Sequence, residues 1–112
     1  MKIKFVYSHV FRKNARRLHK RYPSLYSELL TLENELIRNP DLGVNLGSGI
    51  RKIRIAIASK GKGKRGGARV ITYQEVIFSI AEHTMVMVTI YDKSELESIS
   101  VNDIKSIVKK TI

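Results

Sequence analysis

Between Ser59 and Arg69 the chain reads SKGKGKRGGAR, five basic residues and four glycines with no acid among them. Cations at this density neutralise phosphate oxygens, and glycine, lacking a Cβ, lets the backbone come close to an anion. Just upstream, RKIRIAIA alternates basic and apolar residues. In a strand, Lys52 and Arg54 then leave on one face and Ile53, Ile55 and Ile57 on the other. Arg69 enters the next strand, so these three cations can converge on one anionic group. A phosphate-binding P-loop fails on spacing, because Gly67 and Ala68 stand where its lysine and hydroxyl belong after Gly61 and Gly66. A solvated hairpin loop and a nuclear localisation signal are the competing readings of the run. No acid lies between Arg51 and Arg69, and like charges packed together repel until a polyanion completes the site. That favours a nucleic-acid-contacting element.

The rest of the composition points the same way. The 112 residues carry 21 Lys and Arg against 10 Asp and Glu, a formal net charge of +11. Such an excess suits nucleic acid or a strongly acidic protein. The histidines His9, His19 and His83 are spread out without metal-ligand spacing, and there is no cysteine. No metal site, cofactor, disulfide or thiol nucleophile is therefore expected. No apolar run approaches the ~20 residues that span a bilayer, and the opening MKIKFVYSHVF lacks the long apolar core of a secretion signal. A cytoplasmic protein without a membrane partner is expected, with residues 1–112 as one domain.

The elements that must hold the cations follow from periodicity. KIKFVY, Lys2 to Tyr7, reads as a strand. Ser8 can cap a helix with Phe11, Ala15, Leu18 and Tyr22 as its apolar stripe and Arg12, Lys13, Arg16, Arg17, Lys20 and Arg21 on the other face. Pro23 ends it, and a second helix follows with Leu25, Leu29, Leu32 and Leu36 inside. A loop with Gly43, Gly47 and Gly49 leads to RKIRIAIA. ARVITYQEVIFSI and TMVMVTIYD read as further strands, with a turn around Ala81 to His83. Ser94 with Glu97, and Ser100 with Asp103, are two helix-start signals. The second opens a helix with Val101, Ile104 and Ile107 or Val108 on its buried side. The expected fold is α+β in the order β-α-α-β-β-β-α: a helical hairpin on one face of an antiparallel sheet, with a C-terminal helix.

GIRKIRIA…SKGKGKRGGARVITY followed by VTIYDKSELESISVNDIKSIV resembles the RelE/HigB family of bacterial type II toxins, in its branch with a Lys/Gly-rich loop. The motif covers roughly residues 36 to 108. The resemblance implies a RelE-like fold and a metal-independent, ribosome-dependent mRNA endonuclease that inhibits translation. In that chemistry a ribose 2′-OH attacks the adjacent phosphate and leaves a 2′,3′-cyclic phosphate. It implies strand cations at Lys52 and Arg54, a transition-state arginine at Arg69 and a family lysine at Lys93. Lys60, Lys62, Lys64 and Arg65, with Arg51, would meet RNA and ribosome. Many RelE members carry an arginine and a catalytic tyrosine after that lysine, where this chain has SELESIS. Tyr91 is then the aromatic offered for proton donation or stacking, while Tyr73 reads as sheet packing. Implied partners are an acidic antitoxin, the ribosome with its mRNA, and operator DNA through the antitoxin. A gyrase-inhibiting toxin of the ParE branch and a non-enzymatic RNA- or DNA-binding module are the alternatives.

Overall fold

Alternating KIKFVY forms strand β1, Lys2–Tyr7, and the chain then turns at Ser8. Ser8 sits in extended backbone with its Oγ accepting the Phe11 N–H at 2.9 Å, which satisfies an orphan donor of the helix α1, His9–Arg21. Pro23 separates it from α2, Leu25–Arg38. The expected stripes Phe11, Ala15, Leu18 and Leu25, Leu29, Leu32, Leu36 are all buried. The chain continues through β2, Val44–Gly47, and β3, Ile50–Ile55, then two 3-10 turns at Ala58–Lys60 and Lys64–Gly66. It ends with β4, Ala68–Gln74, β5, Glu82–Asp92, and the helix α3, Val101–Thr111. The computed structural model describes residues 2–61, 63–75 and 82–112.

Among the described residues the fold is α+β, with three helices and a mixed five-stranded sheet in the order β1-β5-β4-β3-β2. β2, β3, β4 and β5 pair antiparallel, but β1 lies parallel to β5, from Lys2 opposite Glu82 to Tyr7 opposite Met87. The expectation of a wholly antiparallel sheet is therefore corrected. Parallel neighbours need a long connection, and the chain from α1 to β4 supplies it. The Gly43–Gly49 loop also contains an unexpected strand, β2, whose hairpin to β3 is possible because Ser48 and the flanking Gly47 and Gly49 all take positive φ. Of the expected turn at Ala81 to His83, Glu82 and His83 belong to β5, and Ala81 lies outside the described residues. The later half of the expected ARVITYQEVIFSI strand falls outside the described residues beyond Glu75.

Two apolar layers flank the sheet. On one side α1 and α2 pack on Ile53, Ile55, Ile57, Val70, Met85, Met87 and Ile90. On the other, Ile104 and Val108 of α3 pack on Ile50, Ile71, Val86, Val88 and Tyr91. Ser100 caps α3 through Asp103 N–H at 3.1 Å, but Val101 stays exposed and only Ile104 and Val108 are buried. Ser94 and Glu97 start no helix, because Ser94 is captured by a turn around Asp92. No helix among the described residues is long and apolar enough to cross a membrane.

Candidate nucleic-acid site on the sheet

Three adjacent strands put Arg54, Arg69 and Tyr91 in one row: Arg54 pairs with Arg69 across β3 and β4, and Arg69 with Tyr91 across β4 and β5. Directly opposed residues project on the same face, here the face covered in part by α3. Lys52, two residues before Arg54, shares that face. Arg54 is exposed and Lys52 half-buried, whereas Arg69 is 3 % exposed. The Arg69 Nη1 donates to the carbonyls of Lys64 at 2.9 Å and Ala68 at 3.2 Å, so this arginine forms the floor of the cluster and pins the second half of the basic loop. Burial and the neighbouring Arg54 both lower its pKa, with Tyr91 opposing them.

Tyr91 is buried, and its hydroxyl has no hydrogen-bond partner among the described residues. A buried polar atom left unpaired is costly, and the Tyr91 hydroxyl keeps its donor capacity within this row. Burial raises its pKa, with Arg69 pulling the other way. The phenol is therefore protonated at neutral pH and able to donate.

The remaining cations named from the sequence do not all join this row. Lys60 lies on the opposite side of the sheet, where its ammonium sits 2.5 Å from the Asp92 carboxylate and over the Tyr22 ring. Asp92 is fully buried and also accepts from the Tyr22 hydroxyl at 2.8 Å and from the Ser94 N–H and hydroxyl. Burial alone would raise the Asp92 pKa; the Lys60 ammonium and the Ser94 and Tyr22 donors outweigh it and hold the carboxyl well below its usual range. Arg51 points away from Lys52 and bonds the Asp41 carbonyl at 3.1 Å, with the Asp41 carboxylate 3.7 Å away. The absence of acid within the run thus did not leave every cation unmatched: acids from β5 and from the segment before β2 fold back onto two of them. Lys64 is exposed. Lys93 is also exposed, in the turn after β5, where its N–H holds the Gly67 carbonyl at 3.2 Å. Lys62 and the side chain of Arg65 lie outside the described residues.

Much of the loop is anchored. The Ala58 N–H donates to Glu28 at 2.5 Å, and the Ser59 N–H to the Ser24 hydroxyl at 3.0 Å, which ties the first 3-10 turn to the start of α2. Gly67 is required for close strand approach and not for an anion, since a Cβ there would stand 2.0 Å from the Ile55 carbonyl oxygen. Gly67→Ala is expected to lower stability by about 1–3 kcal/mol, the usual cost of overpacking. A thermal melt checks it, and an unchanged midpoint would refute the contact.

The basic face of α1 is partly matched as well. Arg17 and Arg21 grip Glu95, just past β5, at 2.8 and 2.7 Å. Both pairs are solvent-exposed, so they orient the turn more than they stabilise it. From sequence Tyr22 figures only in the apolar stripe of α1, and Asp92 has no assigned role. Asp-Lys-Ser at 92–94 carries the signature of an aspartate that turns the chain onto its own next residues, and that signal was available. Among the described residues no group of three or more His, Asp or Glu is placed to hold a metal ion. No model of a known protein family matches the chain.

Proposed function

We propose that this chain is an RNA-cleaving toxin of the RelE/HigB kind, acting on mRNA in the ribosome and held in check by an acidic partner protein. One observation carries the reading: Arg54, Arg69 and Tyr91 stand in register on three neighbouring strands, with Lys52 on the same face and the Tyr91 hydroxyl unpartnered among the described residues. Transesterification at phosphorus needs cations around a crowded phosphorane, a group to receive the hydroxyl proton and a donor for the departing oxygen. The exposed Arg54 and the buried Arg69 beside it supply the positive field. Lys52, on the same face two residues before Arg54, adds a third cation. The neutral Tyr91 phenol supplies the leaving-group proton. The 2′-hydroxyl gives its proton to water as its oxygen bonds to phosphorus, the bond to the 5′-oxygen breaks, that oxygen takes the Tyr91 phenol proton, and the phenolate regains a proton from solvent. The products are a 2′,3′-cyclic phosphate and a 5′-hydroxyl, with no water consumed.

The site has no histidine pair to orient a free substrate, so the ribosome is expected to hold the RNA in place. Expression without a partner should arrest growth, with new mRNA 3′ ends that appear on ribosomes and not on the same RNA in free solution. Fast cleavage of naked RNA would overturn the ribosome dependence. Intact transcripts with lost DNA supercoiling would replace the reading by gyrase inhibition. Normal growth with ample folded protein would leave only a binding module.

A further inference from the structure

A cleft of about 460 Å³ lies between α2 and β3, beside the point where β2 stops. The pairing of β2 with β3 reaches Val44 opposite Lys52, whereas β3 runs on to Ile55. The volume falls within the ~300–1,000 Å³ of small-molecule sites. Leu32 of α2 and Ile53 of β3 are buried and give the cleft apolar walls. Charged groups line it from both sides, Glu28 and Glu35 from α2, Arg54 from β3 and Lys64 from the second 3-10 turn. Glu28 is already engaged, since its carboxylate accepts the Ala58 N–H at 2.5 Å and the Ser24 hydroxyl at 3.3 Å. Glu35 is exposed, and among the described residues its carboxylate has no hydrogen bond and no ion pair.

We propose that this cleft binds a guanine nucleotide, with the base on Glu35 and the phosphate on Arg54 and Lys64. A bare anion would be repelled by Glu35 and a bare amine by the two cations. A nucleotide carries donors at one end and negative charge at the other, and so satisfies both walls. Its flat base has two apolar faces that suit the space between Leu32 and Ile53. Guanine alone of the four RNA bases sets two donors side by side on one edge, the N1–H and the 2-amino group. The two oxygens of one carboxylate accept both. Adenine, cytosine and uracil each offer that carboxylate a single donor. Free GMP and a guanine within an RNA chain share this chemistry. A phosphate docked on Arg54 takes a cation from the sheet cluster and so would slow RNA cleavage; that consequence, unlike the binding, rests on the cleavage reading.

The test uses the whole chain and follows the methyl signals of Leu32 and Ile53 by NMR as nucleotide is added. GMP should move both and bind about tenfold or more tightly than AMP, the discrimination of a bidentate contact. IMP keeps the N1–H but lacks the 2-amino group, and should fall between them. Guanosine, without the phosphate, should bind more weakly than GMP, and added salt should narrow that gap. Glu35→Gln should erase the preference for GMP and leave the melting midpoint unchanged. A short RNA with one guanine, set against the same RNA with adenine there, tells the two sources apart. A Glu35-dependent preference within that pair alone makes the ligand a guanine in a chain, and one for GMP alone makes it the free nucleotide. The inference is overturned if neither comparison favours guanine, if the preference survives Glu35→Gln, or if the signals that move are those of Ile71 and Val88 on the other face of the sheet. A chain that binds GMP but never cuts RNA overturns only the cleavage reading, and one that cuts RNA without any preference for guanine at Glu35 overturns only the cleft.

Discussion

Arg69→Lys is expected to lower RNA cleavage by about 10²-fold or more, the scale of removing a pre-positioned electrostatic stabiliser. The substitution keeps a positive charge, so the loss isolates what the planar guanidinium does. Arg69 holds the Lys64 and Ala68 carbonyls with one nitrogen and stands directly between Arg54 and Tyr91. A lysine ammonium is a compact, strongly hydrated point charge and cannot fork between the loop and the row. Ribosome binding should change little, because the exposed cations Arg54 and Lys64 remain. Single-turnover cleavage on stalled ribosomes, alongside a binding assay at matched salt, separates the two effects. Full cleavage by Arg69→Lys would move the chemistry away from this row. Lys64→Ala, by contrast, removes one exposed charge and should chiefly weaken affinity, with a shallower salt dependence.

Lys60→Met is expected to destabilise the fold by about 3–5 kcal/mol, because it strands a buried carboxylate without its partner. Asp92 is fully buried, and the Lys60 side chain is only 9 % exposed. For a domain of this size the melting midpoint should fall by more than about 10 °C. Asp92→Asn should act similarly through the orphaned ammonium, and the double variant should recover part of the loss, since neither charge is then left alone. The acid limb gives an independent check. The folded carboxyl titrates below its ordinary value of 3.8, so its contribution to stability is complete above that value and is lost as pH falls further. In Lys60→Met the ammonium that depresses the carboxyl is gone, and this acid loss should flatten. A Lys60→Met chain with an unchanged melt and acid profile would show that the pair holds nothing together.

Lys60 shows why a sequence reading of the loop stops short. Its spacing among glycines looks the same as that of Lys64, yet one is buried against Asp92 and the other is exposed. Arg51 and Lys52 are neighbours in the chain, but the strand sends the first to Asp41 and the second to the side of Arg54. Ser94 with Glu97 has the pattern of a helix start, and the longer-range demand of Asp92 overrides it. No local pattern reports that β1 would join β5 in parallel, or that β2 would form and stop short of Ile55.

The amino-acid sequence by itself determined the helices and most of the strands. The Leu25, Leu29, Leu32 and Leu36 stripe and the Ile53, Ile55 and Ile57 alternation are set by the 3.6- and 2-residue repeats of the backbone, and each of these residues is buried as its period requires. The same alternation put Lys52 and Arg54 on a common face. The tertiary structure alone decided which cations keep their charge for a ligand, because a buried acid many residues away neutralises one of them. It also decided that a buried Arg69 stands between an exposed Arg54 and Tyr91, whose hydroxyl is unpartnered among the described residues. Those outcomes depend on strand order and cross-strand register, which are fixed by how distant segments pack together and not by the residues next to one another in the chain.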